Sequence, residues 1–339
     1  MPALCTVCLC VLLLLTQHVS ADTEKALQPL RYDALLSNYD YDFAVNTFPF
    51  QSQQQQLKMA YIYLEAKPGN AVVTLLHGKN FNADYWASTA KFLHALGYGV
   101  LIPDQIGFGK SSKPTNYQYS FAALAQHTKA LMDSLQIKKS IVLGHSMGGM
   151  LASRFALMYP EITRQLILLN PIGLENYLQF VDYKDSDFFY KNELAKTAEG
   201  IQAYQQKNYY DGQWNKQYAA LTDFMIGQLH GPDKEQIAWV NAKTYDMIFT
   251  QPVINEFKHL TMPVKLIIGT RDRTGPGRNW KKNGVDYELG RYDKLAKNAA
   301  AQIKDVTLFE LDGLGHLPHI EDFTRFKAVL KTALDNQTH

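Results

Sequence analysis

Short apolar runs alternate with longer amphipathic segments along most of this chain. The runs Ala71–Leu76, Val100–Ile102 and Ile141–Leu143 have the length and composition of buried strands. The segment Ser120–Leu135 carries apolar residues at helical spacing, and Gly97 marks the end of an earlier helix. The alternation of these two patterns predicts a protein of the α/β class.

Strand patterns recur on both sides of these segments. Further strands are predicted at Val45–Phe50, Leu57–Leu64, Gln165–Leu169, Val264–Ile268 and Val306–Leu311. Helices are predicted for Tyr292–Ile303 and for about 321–334. The pattern therefore continues to the end of the chain.

Residues 171–250 interrupt this rhythm. They are rich in Tyr, Phe and Gln, and no strand-like alternation dominates among them. We interpret this segment as a helical cap, inserted after the sixth strand into a core formed by 22–170 and 251–339. An aromatic-rich cap suits a lid over a mostly apolar pocket, although for any single ring packing of the cap onto the core is the favoured explanation. The long loop 274–291 is expected to be a solvated excursion, with closure over the pocket mouth as the alternative.

The sharpest chemical signal is Gly144-His145-Ser146-Met147-Gly148, which fits the pattern G-x-S-x-G. It lies between a buried strand and a helix, which is the context in which this pattern presents a serine on a strained turn. A Cβ at either glycine would crowd the crossing of strand and helix. The sequence therefore predicts an exposed nucleophilic hydroxyl at Ser146, next to the N–H groups of a helix N-terminus.

Four other loops carry related motifs. They are His77-Gly78-Lys79-Asn80, the segment Asp104-x-x-Gly-x-Gly-x-Ser111, Gly269-Thr-Arg-Asp272 and Gly315-His316. Together with the serine turn, these motifs resemble the α/β-hydrolase superfamily, and the resemblance covers nearly all of the chain outside the proposed cap and residues 1–21. It implies a mostly parallel, doubly wound, eight-stranded sheet with an inserted helical cap.

The resemblance also implies a catalytic triad in the chain order nucleophile, acid, base. Ser146 would be the nucleophile, Asp272 the acid and His316 the general base. The backbone N–H of Met147 would form an oxyanion hole with that of Lys79 or Asn80. No metal and no organic cofactor is expected.

Several nearby residues have competing interpretations. Asp104 and His319 are expected to be structural, and His77 is expected to shape its loop. Some members of the superfamily place the acid just after the sixth strand, where this chain has Asn170. Glu175 is therefore kept as the alternative acid.

The serine at position 146 limits the reactions that the site is expected to catalyse. Epoxide hydrolases and haloalkane dehalogenases of this superfamily use aspartate there, whereas Ser146 selects acyl chemistry; prolyl iminopeptidases usually carry a different motif, Gly-Gly-x-Ser-Trp-Gly. We expect a carboxylesterase that acts on small to medium esters with apolar groups. A C–C bond hydrolase or an acyltransferase with the same triad is the alternative, and a non-catalytic ligand-binding protein on this fold is a third hypothesis.

Residues 1–21 resemble a secretory signal peptide. An apolar run, Leu9–Leu15, is followed by the small residues of Val19-Ser20-Ala21, and all three cysteines (Cys5, Cys8 and Cys10) lie before this point. We expect cleavage after Ala21, export to the periplasm or medium, and no stable membrane insertion afterwards. The alternative is a membrane anchor, although the run is short for a span.

Composition limits the partners. Of the 339 residues, 46% are hydrophobic and 19% are charged, which is typical of a globular protein. The formal net charge of +2 gives no electrostatic reason to expect nucleic acid as a partner. The expected partner is a small molecule with an acyl or carbonyl group, and the sequence leaves the oligomeric state open.

Overall fold

The computed structural model describes Met1 and residues 30–335 of the chain. The remainder of the predicted signal peptide, with its three cysteines, lies outside the described residues. The strands are β1 (Asn46–Ser52), β2 (Gln55–Leu64), β3 (Val72–Leu76), β4 (Gly99–Pro103), β5 (Ser140–His145), β6 (Thr163–Leu169), β7 (Val264–Gly269) and β8 (Val306–Leu311). The helices are α1 (Ala87–Ala95), α2 (Phe121–Ser134), α3 (Met147–Met158), α4 (Ser186–Leu194), α5 (Ala198–Tyr209), α6 (Lys216–Ala220), α7 (Asp223–Leu229), α8 (Lys234–Thr250), α9 (Tyr292–Ala300), α10 (Pro318–Glu321) and α11 (Phe323–Asp335).

The eight strands form one sheet in the order β1-β2-β4-β3-β5-β6-β7-β8. Strand β2 runs antiparallel to both of its neighbours, and all the other pairs are parallel. The predicted eight-stranded, mostly parallel sheet is therefore confirmed. The order places β5 in the middle of the sheet, so the turn that follows it opens at the centre of one sheet edge.

Helices cover both faces of the sheet because the strand residues are apolar on both sides. In β5, Val142 packs in the cluster that contains residues of α2, α3 and α9. Its neighbours Ile141 and Leu143 pack in the opposite cluster, which contains residues of α1 and α11. Successive side chains point to opposite faces of a strand, so this one short run contributes to both layers of the core.

The chain between β6 and β7 contains α4 to α8 and no strand among the named elements. Helix α4 packs along α8, where the Phe189 and Phe249 rings stack with centroids 5.7 Å apart. These are the helices that the sequence predicts for 171–250. That the segment is a distinct cap domain stays a prediction.

The loop 274–291 is less solvated than its sequence indicated. Its Trp280 ring lies 5.5 Å from the ring of Phe188 in α4, and the indole N–H is buried. Backbone bonds also tie the loop to the start of the helical segment, from Asp182 N–H to the Trp280 carbonyl (3.0 Å) and from Lys282 N–H to the Phe180 carbonyl (2.9 Å). The expectation of a solvated excursion therefore holds only in part: residues 281–284 are exposed, whereas the ring of Trp280 packs against aromatic rings of the inserted helices.

Among the residues that the structure describes, none of the helices has both the length and the apolar composition that a bilayer crossing requires.

Candidate active site

Ser146 sits on a strained turn between β5 and α3. Its backbone has φ 55° and ψ −122°, a conformation that non-glycine residues rarely adopt. The turn is close-packed: a Cβ on Gly144 would overlap the Gly148 carbonyl, and a Cβ on Gly148 would overlap the Leu76 carbonyl at the end of β3. Glycine at both positions therefore allows the crossing that holds the Ser146 side chain above the sheet edge.

The structure brings Ser146, His316 and Asp272 together in one line. The Ser146 Oγ lies 2.9 Å from Nε2 of His316, and Nδ1 of the same ring lies 2.7 Å from Oδ2 of Asp272. Asp272 follows β7 and His316 follows β8, so parallel neighbours deliver both side chains to the same sheet edge. Because an ionised carboxylate only accepts, Nδ1–H is assigned as the donor to Asp272, which leaves Nε2 to accept from the serine hydroxyl.

The environment of Asp272 keeps this carboxylate ionised. Burial by itself raises its pKa, but the charge and hydrogen bond of His316 oppose burial and hold the pKa below its usual value. Two further donors contribute, the Thr274 N–H at 2.7 Å and the Asn170 side-chain amide at 2.9 Å. The acid is thus charged throughout the range in which histidine titrates.

Asn170 is a site residue that sequence reasoning missed. Its Nδ2 donates to Asp272, and its Oδ1 accepts from the Gly269 N–H at 2.8 Å. The residue has φ 36°, which asparagine tolerates better than most residues. The sequence signal for this residue is its position directly after the sixth strand.

A second buried network lies behind the histidine. His145 Nε2 is 2.8 Å from the His316 carbonyl, so it donates, and Nδ1 then accepts from the Tyr85 hydroxyl at 3.0 Å. The Tyr85 oxygen in turn accepts from the Gly78 N–H at 3.2 Å. Burial holds the pKa of His145 well below its usual value, so the ring stays neutral and the network keeps this direction. It joins the loop after β3 to the backbone of His316.

Two of the predicted oxyanion donors, the N–H groups of Lys79 and Asn80, lie in the loop that follows β3, and the third belongs to Met147. A Cβ on Gly78 would lie 3.1 Å from the Ser146 Cβ, so the loop runs directly against the serine. Within the part of the chain that the structure describes, the N–H groups of Lys79, Asn80 and Met147 have no protein acceptor. They are therefore available to a substrate oxygen, and their assignment as an oxyanion hole stays a prediction.

The inserted helices cover the histidine. The Tyr209 ring of α5 stacks on the His316 ring with centroids 4.8 Å apart, and its hydroxyl accepts from the Asn80 amide at 3.1 Å. His316 and Asp272 are fully buried, and 6% of Ser146 is exposed. Helix α5 thus contributes a wall to the site as well as to the core.

The residue kept as the alternative acid lies outside the hydrogen-bonded line from Ser146 to Asp272. Glu175 accepts from the Gly290 N–H at 3.1 Å and has no hydrogen bond to His316 among the described residues.

Asp104 accepts from the Ala83 and Lys110 N–H groups, as a structural residue would. His319 stacks on Trp86 with centroids 4.7 Å apart, and neither of its ring nitrogens has a partner within residues 30–335.

Across residues 30–335, no three or more His, Cys, Asp or Glu side chains converge closely enough to hold a metal ion. A cofactor-free site stays a prediction.

A mostly parallel sheet with a strained serine at its centre, and with aspartate and histidine on the loops after β7 and β8, defines a hydrolase of the α/β class. A family model described as alpha/beta hydrolase fold matches residues 71–323. The chain belongs to the α/β-hydrolase family.

Individual relatives are similar to different extents. A solved structure described as a probable hydrolytic enzyme of Pseudomonas aeruginosa PAO1 shares 43% identity, covering 91% of this chain and 99% of that one, with a TM-score of 0.87. An esterase of Thermogutta terrifontis is 18% identical, with a TM-score of 0.66 over 86% of this chain and 98% of that one, and shares the fold.

Curated relatives match a shorter stretch. A 2-hydroxy-6-oxo-6-phenylhexa-2,4-dienoate hydrolase of Burkholderia cepacia is 39% identical over 113 residues, which are 32% of this chain and 39% of that protein. A 2-hydroxy-6-oxononadienedioate/2-hydroxy-6-oxononatrienedioate hydrolase of Comamonas testosteroni is 40% identical over 34% of this chain and 41% of its own length. The chain thus matches about two fifths of the length of these proteins.

Proposed function

We propose that this protein is a serine hydrolase that cleaves small to medium carboxylic esters through an acyl-enzyme on Ser146. The observation that carries the proposal is the continuous line from Ser146 Oγ to His316 Nε2 (2.9 Å) and from His316 Nδ1 to Asp272 Oδ2 (2.7 Å). A serine hydroxyl is a weak nucleophile at neutral pH, and a histidine at this distance removes its proton as the bond to carbon forms.

The reaction then runs in two halves. Ser146 attacks the ester carbonyl while His316 takes the hydroxyl proton, and Asp272 stabilises the imidazolium. The oxygen of the tetrahedral intermediate would accept from the Met147 N–H and from that of Lys79 or Asn80. The imidazolium then gives its proton to the departing alcohol, and a water that His316 deprotonates releases the acid.

A second candidate is hydrolysis of a C–C bond next to a carbonyl, with the same three residues. The names of the curated relatives favour it, because they describe hydrolases of 2-hydroxy-6-oxo-dienoates. Here the electron pair of the broken C–C bond would leave on a conjugated dienolate, which then takes up a proton, whereas an ester releases an alkoxide that is protonated to the alcohol. Ester and C–C substrates therefore make different demands on proton delivery.

A substrate panel distinguishes the two candidates. The folded protein would be assayed with 4-nitrophenyl esters of two to eight acyl carbons and with 2-hydroxy-6-oxo-6-phenylhexa-2,4-dienoate, with Ser146→Ala as the control. We expect kcat/KM for the best ester to exceed that for the dienoate, and the variant to lose roughly 10⁴-fold or more. The opposite order would favour C–C hydrolysis, and wild-type rates in the variant would refute both.

Export is a separate proposal that rests on residues 1–21. The apolar run and the small residues at Val19-Ser20-Ala21 support it. N-terminal sequencing of the protein from periplasm and medium is expected to begin at Asp22. Recovery of the uncleaved chain from the membrane fraction would favour the anchor instead.

A further inference from the structure

A small cavity of about 60 Å³ lies beside the loop that follows β3. One wall is formed by Lys79–Phe81 and by Gly107–Gly109, in the loops after β3 and β4. The other wall comes from the inserted helices, with Ile201 of α5, Met225 of α7 and Asn241 of α8 among its residues. The cavity therefore lies where the inserted helices meet the sheet edge that carries Ser146.

The loop that lines the cavity also packs against Ser146. Lys79 directly follows Gly78, whose backbone runs against the Ser146 side chain. The next residue, Asn80, donates to the Tyr209 hydroxyl, and the Tyr209 ring covers His316. The two places are thus joined by residues 78–80, and the proposal below requires that a substrate bound at Ser146 extends along this loop into the cavity.

The lining carries an excess of positive charge. The Lys79 ammonium donates to Asn241 Oδ1 at 2.9 Å, which is its single hydrogen bond among the described residues. The amide of Asn241 contacts Glu193 at 3.3 Å, and Glu193 pairs with Lys196 at 2.7 Å. With both lysines protonated, this cluster of two ammonium groups and one carboxylate has a net charge of +1. Lys234 also lines the cavity, so the excess is not confined to the cluster.

A second lysine of the lining, the buried Lys113, already has its hydrogen-bond partners. The Lys113 ammonium donates to the Gly109 carbonyl at 2.6 Å and to the Ser111 carbonyl at 3.2 Å. Lys79 has instead two N–H groups without a protein acceptor in residues 30–335. Burial lowers the pKa of Lys79 to about 7, although the charge of Glu193 opposes this effect. A bound anion would offset the cost of burying this charge.

We propose that this cavity binds a carboxylate that the substrate carries in addition to its scissile carbonyl, with the Lys79 ammonium as its ion-pair partner. A monoanion matches the charge of +1 that the cluster has when both lysines are protonated, whereas a dianionic phosphate would leave an excess of negative charge beside Glu193. The proposal rests on the proposed function of Ser146, because it names the substrate class of that same site. It makes Lys79 a specificity-determining residue.

The test compares esters that differ only in one charge. Mono-4-nitrophenyl adipate and its methyl ester place the charge on the acyl side, and 4-butyryloxybenzoate and its methyl ester place it on the leaving group. The readout is the ratio of kcat/KM for the acid to kcat/KM for its methyl ester, with background rates taken from Ser146→Ala. Because it is a ratio, a general loss of activity in a variant cancels.

We expect the ratio to exceed one for wild type in at least one pair. It should fall about 10–100-fold in Lys79→Met, as for loss of a charged hydrogen bond, and recover partly in Lys79→Arg. The matched control is Lys207→Met, an exposed lysine on α5, which should keep the wild-type ratio. Preference for the methyl ester in both pairs, or an unchanged ratio in Lys79→Met, would overturn the proposal.

A binding measurement separates failure of the proposal from failure of the proposed function. If wild type hydrolyses none of the four esters, the proposed function is wrong, and calorimetry then tests the cavity with monomethyl adipate and 4-hydroxybenzoate. Binding by wild type that Lys79→Met weakens at least 10-fold would support the carboxylate site. Equal binding by the two proteins, or none by wild type, would overturn it.

Discussion

Asn170 supports the charge of the Asp272 carboxylate without belonging to the line from Ser146 to Asp272. Its amide donates to Asp272 Oδ2, the same oxygen that accepts from His316. An amide at this point supports a negative charge, whereas a carboxylate would oppose it. The identity of residue 170 therefore matters to chemistry that it does not perform.

Asn170→Asp tests this role with little change of shape, since aspartate also tolerates the positive φ. Two carboxylates at this distance share a proton, and their added charge also favours the imidazolium form of His316. We expect kcat/KM at pH 7 to fall about 10–100-fold, and the acidic limb of the pH–rate profile to move to higher pH.

The matched control is Asn298→Asp, which adds the same charge at an exposed position on α9. The pH–rate profile of Asn298→Asp should match that of the wild type. A uniform loss of rate at every pH in Asn170→Asp, with no movement of the limb, would mean that the residue only supports the fold.

Residue-level features differ in how far the sequence could predict them. The need for glycine at positions 144 and 148 could be predicted from the sequence, because it arises within a single turn. The bond between Lys79 and Asn241 joins residues 162 positions apart, and no local pattern encodes it. The role of Asn170 likewise depends on where β6 and β7 become neighbours.

At the scale of elements, the loop 274–291 is the part that the sequence described least well. Its packing depends on Trp280 meeting the aromatic rings of α4 and on Glu175 meeting the Gly290 N–H. The strands and helices of the core were predictable because each has its own hydrophobic period. A loop has no such period, so its contacts are decided by the tertiary structure.

Glu175→Gln tests the anchoring of this loop. Burial raises the pKa of Glu175 to about 7, so the folded protein keeps a proton that the unfolded chain loses above about pH 4.5. Wild-type stability therefore falls as pH rises from about 4.5 to 7, by up to about 3 kcal/mol from this group. Gln has no proton to lose, and its oxygen can still accept from Gly290.

Urea unfolding at pH 5 and pH 8 measures this effect. The variant should gain free energy of unfolding relative to wild type as pH rises, whereas Glu288→Gln, exposed in the same loop, should not. A difference that stays constant with pH would contradict the account. Loss of turnover in Glu175→Gln would instead identify Glu175 as the acid.

At the scale of the whole molecule, buried neutral histidines set the response to acid. Burial lowers the pKa of His319 to about 3 and that of His127 to about 4. The unfolded chain binds these protons from about pH 6.5 downward, while the folded protein does not. Stability contributed by these groups is present above about pH 6.5 and is lost progressively as pH falls toward the folded-state values.

His319→Phe should reduce this loss. The ring already packs on Trp86 and Phe326, and its two nitrogens have no partner among the described residues. We expect the fall in free energy of unfolding between pH 7 and pH 5 to be smaller by about 2 kcal/mol in the variant. His94→Phe, at an exposed position on α1, should keep the wild-type slope. An unchanged slope in His319→Phe would show that this histidine is not the group responsible.

The central claim for the whole molecule is that folding aligns Ser146, His316 and Asp272 into one proton-transfer line. Labelling with a fluorophosphonate, read by mass spectrometry of the peptide that contains residue 146, tests it most directly because the probe reacts with an activated serine whatever the natural substrate is. We expect stoichiometric labelling of Ser146 in the folded protein, much slower labelling in His316→Ala, and none in denatured protein. An unlabelled Ser146 in the folded protein, or equal labelling rates in wild type and His316→Ala, would contradict the account.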